Sequence, residues 1–336
     1  MKSNAASAKD SPPPRGLPGL RPTLTPRERY ALWTVLFCFL VGCIVRWIRS
    51  FGWPCFAVGF FLALCAGCSR QSRPDADVDV RIVSTAPCLT ECLFAIGAGN
   101  RVVGRTDVCN YPPEAEAVPV TGKFAKPFIE ATLAATPTHI VEMAWFDADI
   151  RRRFEEAGVP VVHIPCTRTG EVPAALRRLG ALTGCLGQAE QEARRLEEGL
   201  AGLRKASEQS KSRPRVLTLV DASSPITIGP HTFLAEMVAL SGCTNLTERG
   251  VSDYYQISPE WVLKHEPDIL LCLYRLGDNT PDAYAAHYAA QPGWRALRVI
   301  REKRICTVRD LDAVCRPGPR LLDGLAELRA AVQRFP

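Results

Sequence analysis

Five large aromatic side chains, Phe124, Trp145, Phe146, Tyr254 and Tyr255, fall on segments that read as loops after strands or before helices. Exposed rings of that size need a reason, and flat faces gathered at loop ends suit a ligand that is itself a large ring system. Tyr111 belongs with them, because Tyr111-Pro112-Pro113 fixes an extended, rigid loop just after a strand end, where α/β folds present ligand contacts. Asp312 and Arg316 precede Pro317-Gly318-Pro319, and a guanidinium there suits a carboxylate or amide oxygen at a ligand's edge. Taken singly, each residue serves equally well as core packing, a turn or a surface ion pair; the set points to a binding site.

Motifs for bond-breaking chemistry are missing. The chain has no GxSxG, no HExxH and no phosphate-cradling GxxxxGK[ST]. Gly97-Ala98-Gly99 follows a helix instead of a strand and lacks the third glycine of a dinucleotide fingerprint, so it reads as a helix stop. The five histidines, at 139, 163, 231, 265 and 287, are scattered and do not suggest zinc. Cys88, Cys92 and Cys109 are the one grouping that could serve an alternative, a membrane-anchored enzyme or metal-cluster protein. In an oxidising compartment Cys88 and Cys109 are a plausible disulfide, and most of the remaining cysteines sit in apolar stretches as small core residues.

The elements that must position these residues form a regular pattern. From Arg81 onward short apolar strands alternate with helices, which predicts a parallel α/β architecture. Strands are expected at 81–84, 102–103, 139–142 and 160–164, then again at 216–220, 269–273 and 305–308. Between the two sets lies a proline-free segment, 188–211, with leucines at 196, 200 and 203, which predicts a helix of about 35 Å, long enough to bridge two domains. The division is therefore a leader at 1–68, a linker at 69–80, a first lobe at 81–185, a backbone helix at 186–212 and a second lobe at 213–336, with a cleft between the lobes. Glu130 and Glu260 each begin a helix, one per lobe, where a carboxylate is favoured by the helix dipole.

The N-terminal segment supplies the compartment. Arg46 and Arg49 precede an uncharged run from Ser50 to Ser69 that contains Leu64-Cys65-Ala66-Gly67-Cys68, the parts of a bacterial lipoprotein leader with Cys68 as the lipidated residue. A membrane-spanning helix is the alternative. A second apolar run, Tyr30 to Val45, allows a hairpin, or a true start near Val45. Eight Lys or Arg against two acids up to Cys68 account for the whole net charge of +6. The rest of the chain is formally neutral, and its charge gives no reason to expect nucleic acid.

The ordered segments RVVGRTDVCNYPPEA (101–115) and VPVTG (118–122), FIEA (128–131) before PTHIV (137–141), AGVPVV (157–162), QISPE (256–260) before PDIL (267–270), and RPGPRL (316–321) resemble the substrate-binding proteins of ABC importers for vitamin B12, iron-siderophores and haem. The resemblance covers 81–335 and implies two Rossmann-like lobes with mostly parallel sheets, joined by one long helix. It implies no enzymatic activity and no resident cofactor. The ligand would be a large cobalt- or iron-bearing molecule, delivered to a membrane permease driven by its ATPase. Glu130 and Glu260 match the acidic residues that dock each lobe onto permease arginines. The stretch 107–122 is most similar to the corrinoid branch, although Val108 stands where that branch often has an aromatic; for haem, Tyr111, Tyr254 or Tyr255 would have to supply the axial ligand. A single bridging helix resists bending, so only a small closure on binding is expected.

Overall fold

A computed structural model describes residues 79–143, 147–247, 249–250 and 252–335. Trp145, Phe146, Cys68 and both N-terminal apolar runs lie outside the described residues. Among the described residues no helix is long and apolar enough to cross a membrane.

Two six-stranded sheets follow one another along the chain. The first is built from β1 (Ile82–Ser84), β2 (Val102–Thr106), β3 (Val120–Lys123), β4 (Lys126–Pro127), β5 (His139–Glu142) and β6 (Val161–His163), in the order β4-β3-β2-β1-β5-β6. All its pairings are parallel except the terminal β3–β4 hairpin. The second contains β7 (Arg215–Leu219), β8 (Ile226–Ile228), β9 (Thr244–Asn245), β10 (Tyr254–Gln256), β11 (Ile269–Cys272) and β12 (Ile305–Thr307). Here β7, β11 and β12 are parallel, with β9 parallel to β7, while β8 pairs antiparallel with β7 and β10 antiparallel with β8. Tyr254 and Tyr255 thus lie on a strand, where the sequence suggests a loop. Three residues are too few to show the alternation that marks a strand in sequence.

Helices are started by local chemistry. Helix α1 (Pro87–Ala95) opens on a proline at its first position, and α2 (Ile129–Ala134) carries Glu130 in its first turn. A third helix, α3, spans Ala148–Glu156, with Asp147 accepting from the Asp149 N–H. Next comes α4 (Val172–Thr183), an element the sequence pattern does not announce: Pro173 sits in its first turn and Gly184 ends it at φ +73°.

The segment expected to bridge the lobes is α5 (Leu186–Glu208), 23 residues long. Its buried residues Ala189, Ala193, Leu196 and Leu200 recur at intervals of four and three, one apolar stripe. It packs on α4 and α1 of the first half, and on α6 (Phe233–Leu240) and the C-terminal helix Leu321–Val332 of the second. A Cβ on Gly180 would lie 2.3 Å from the Ala189 Cβ, so the α4–α5 contact depends on that glycine. One apolar core runs through both halves around this helix, from Ile82 and Leu89 through Leu196 to Val216 and Leu325.

All nine cysteines among the described residues are free, and seven are buried. Cys88 and Cys109 are not a disulfide. Cys109 is held by the Thr90 hydroxyl at 3.2 Å and lies 3.0 Å from that of Thr106, whereas the Cys88 thiol faces Met143. The expectation that most cysteines are small core residues holds.

Leu196 is fully buried at the centre of the shared core. Leu196→Ala is expected to lower unfolding free energy by about 3 kcal/mol, measured by urea denaturation, with both halves losing structure in one transition.

Candidate ligand-binding cleft

Strands of both sheets end on a cleft of about 600 Å³. In parallel α/β sheets the C-terminal strand ends leave loops and helix starts around a crevice, so the cleft walls are set by topology. From the first half come Cys88 in the first turn of α1, Val108 after β2, Phe124, Met143 after β5 and Thr167 after β6. The second half contributes His231, Phe233, Asp253, Tyr254, Cys315 and Arg316.

Phe124 occupies the two-residue connection between β3 and β4, where the next residue, Ala125, takes φ +54° and its N–H bonds the Thr85 carbonyl at 3.2 Å. The tight turn lifts the ring out of the sheet, leaving Phe124 47% exposed. Tyr254 begins β10 and is 54% exposed on the opposite wall. Because neighbouring strand residues point to opposite faces, Tyr255 leaves the cleft and lines a separate cavity of about 510 Å³ with Trp261 and Arg215. Tyr111 is not on the cleft wall: its ring lies under the Arg320 guanidinium, 3.8 Å from carbon to ring centre.

Arg316 lines the cleft but is already engaged. It donates to Glu91 Oε1 at 3.1 Å, to Asn110 Oδ1 at 2.7 Å and to the Val108 carbonyl at 3.2 Å, and pairs with Asp312 at 2.8 Å. Arg320 donates to both oxygens of Glu91, at 2.8 and 2.9 Å, and pairs with Asp310 at 2.6 Å. Glu91 is 2% exposed, and its two arginines come from the other half of the chain. On another seam, Glu236 of α6 accepts from the Thr169 N–H at 2.8 Å and hydroxyl at 2.7 Å and pairs with Arg168. Two carboxylates therefore tie the halves together beside the cleft. Asp312 serves this network, accepting from Asn110 at 3.1 Å, and stands behind the wall.

Glu130 and Glu260 are exposed, far along the chain from each other but alike in setting, each in the first turn of its helix. In α7 (Pro259–His265) the capping role belongs to Ser258, which accepts from the Trp261 N–H at 3.2 Å. The Ser258 hydroxyl and the backbone N–H also hold the Glu260 carboxyl below the usual carboxylate range, so it is charged at neutral pH.

Sequence reasoning missed Glu91, His231, Met143 and Cys315, and named Cys88 only for the metal-cluster alternative. Met143 and Cys88 carried a usable signal, since each follows a strand closely on the side where crevices form. Glu91 carried none, because its partners lie more than 200 residues away.

The periplasmic binding protein family model matches residues 82–310, which is more than half of the chain. The chain belongs to this family. Its members bind solutes outside the cytoplasm for ABC import, and the two-lobed fold is theirs. A vitamin B12-binding protein of Pectobacterium carotovorum is 27% identical over 246 residues, covering 72% of this chain and 84% of the relative. An uncharacterized ABC transporter substrate-binding lipoprotein of Bacillus subtilis is 26% identical over 260 residues, 75% of this chain and 79% of that one. Among solved structures, a periplasmic haem-binding protein from Roseiflexus, in apo form, superposes with a TM-score of 0.67 at 26% identity, covering 76% of this chain and 98% of its own.

Glu91→Gln keeps the shape of the side chain but removes the charge that both arginines face. The expected loss is about 3 kcal/mol of stability, read by urea unfolding, with Asp282→Asn, an exposed carboxylate paired with Lys303 at 2.6 Å, changing it little.

Proposed function

We propose that this chain is the lipid-anchored receptor of an ABC importer, capturing a corrinoid in the cleft and delivering it to a membrane permease. The observation that carries the reading is the cleft itself. Phe124 and Tyr254 line a space of about 600 Å³ from the two lobes, and Arg316 lines it with them. A flat macrocycle between aromatic faces gains dispersion and apolar burial over both of its sides. Cobalamin is favoured over other macrocycles by the likeness of 107–122 to the corrinoid branch and by relatives that are vitamin B12-binding proteins.

The proposed organisation is a leader at 1–68 with Cys68 as the lipid attachment, a linker at 69–80, and lobes at 81–185 and 213–336 joined by a helix segment at 186–212. Trp145 and Phe146, which follow β5 in the sequence, are ligand-contacting residues in this reading; Tyr111, Tyr255 and Asp312 act from behind the wall. The task is binding, with no bond made or broken; ATP hydrolysis belongs to the partner ATPase. Glu130 and Glu260 dock one lobe each onto cationic residues of the permease.

A second reading, haem, has its own observation. His231, Tyr254 and Met143 all line the cleft, and each is a side chain able to reach an axial position on iron.

Titrating the purified full chain in detergent with cyanocobalamin and with haemin, followed by calorimetry and tryptophan quenching, separates the two. One-to-one binding of cyanocobalamin, weakened about tenfold by Tyr254→Ala or Phe124→Ala, supports the corrinoid reading. Binding of haemin alone would transfer the site to haem, and binding of neither would sink both.

Reversing Glu130 and Glu260 to arginine is expected to abolish uptake in cells while leaving solution affinity unchanged. A fall in affinity would instead place the two carboxylates in the binding site.

A further inference from the structure

The floor of the cleft carries a feature that neither its aromatic walls nor its arginines use. Cys88 lies in the first turn of α1, Met143 directly follows β5, and Cys166 comes just after β6. Strands β1, β5 and β6 are neighbours in the sheet, so their C-terminal ends bring the three sulfurs together. The Cys88 thiol donates to Met143 Sδ at 3.1 Å. Cys166 packs in the same core cluster as Cys88 and donates at 2.8 Å to the carbonyl of Pro317, which lines the cleft with Cys88. Cys88 and Met143 both line the cleft, with Cys166 buried behind them.

We propose that Cys88, Cys166 and Met143 form a binding site for a soft monovalent metal ion, copper(I) foremost. Thiolate and thioether sulfur select copper(I), which accepts two or three ligands. Zinc asks for four, commonly with histidine or carboxylate among them, and among the described residues no three His, Cys, Asp or Glu side chains are grouped to hold a metal. Glu91, the carboxylate of this helical turn, is committed to Arg316 and Arg320. Two thiolates around a monovalent ion leave one negative charge, and Arg316, already paired with Glu91 and Asp312, lines the same cleft.

Loading exchanges protons for metal. One cation enters, two thiols each lose a proton, and a singly negative bis-thiolate centre with a thioether contact remains. Affinity therefore rises with pH. With metal–sulfur bonds of about 2.3 Å, trigonal sulfurs stand about 4 Å apart, so Cys88 and Met143 must separate from their present 3.1 Å. The flexible thioether allows it.

The test uses the full chain in detergent with Cys38, Cys43, Cys55, Cys65 and Cys68 replaced by alanine, so that only sulfur of the folded region is read. Copper(I) is titrated anaerobically, with a phosphine reductant, against bicinchoninate as competing chelator. The expected result is one chelator-resistant equivalent with thiolate-to-copper absorption in the ultraviolet. Cys88→Ser and Cys166→Ser should each weaken it by at least about 100-fold, and Met143→Leu by about tenfold; Cys243→Ser, in the other lobe, should leave it intact. Copper lost entirely to the chelator, or retained by both the Cys88 and Cys166 variants, would overturn the proposal. Met143→Leu conserves volume and keeps the test readable if a serine variant misfolds. The titration contains neither cobalamin nor haemin, so its outcome is separate from that of the transport reading.

Discussion

Glu91 is a buried carboxylate whose counter-charges, Arg316 and Arg320, arrive from the far end of the chain. A charge so placed is costly to desolvate, and the cost is offset only when its partners are held in good hydrogen-bonding geometry. That requirement makes the second lobe a condition of the first: moving the lobes apart would leave Glu91 with no counter-charge in an apolar setting. The same arginines reach outward from Glu91 to Asp310, Asp312 and Asn110, and Arg320 covers the Tyr111 ring. Several polar residues near the cleft are thus spoken for by the lobe contact before any ligand arrives.

Two consequences for binding follow from this constraint together with α5. The helix contributes to a core continuous through both halves, so it is packed along its length and has no free hinge. The Glu91 and Glu236 ties then fix the lobe separation from beside the cleft. A site held in this way is largely formed in advance, which reduces the ordering cost of capturing a rigid macrocycle.

How much of this was legible in the sequence depended on the range of the interaction responsible. β5 at His139–Glu142 and α7 at Pro259–His265 were readable to the residue, because apolar runs, proline and a serine cap act locally. Helix α5 was readable from Leu196 and Leu200, but the stripe extends through Ala189 and Ala193, whose small side chains carry little hydrophobic signal of their own. Strand β10 and helix α4 were not readable, the first too short for alternation and the second begun by a proline that resembles a break. Among the site residues, Phe124, Tyr254 and Arg316 line the cleft, Tyr254 from a strand where the sequence suggests a loop. Tyr255 and Tyr111 were drawn elsewhere by strand alternation and by Arg320, both decided by register and partners that a linear chain does not display.

The ligand question reduces to what the two cleft walls offer a metal at a macrocycle's centre. Ring faces on opposite walls favour any flat macrocycle, so Phe124 and Tyr254 do not discriminate cobalt from iron. Discrimination must come from donors above and below the plane. The first lobe presents sulfur, from Cys88 and Met143, while the second presents His231 and the Tyr254 phenol. A corrin arrives with its cobalt already ligated on one or both faces and needs shape and polar contacts at its rim, whereas haem iron takes its axial partners from the protein. Val108, 44% exposed on the wall, leaves without a ring the position where the resembling corrinoid branch often has an aromatic, so this wall offers a corrin one stacking contact fewer. The choice between cobalt and iron therefore rests on the donors that the two walls present and not on their aromatic side chains.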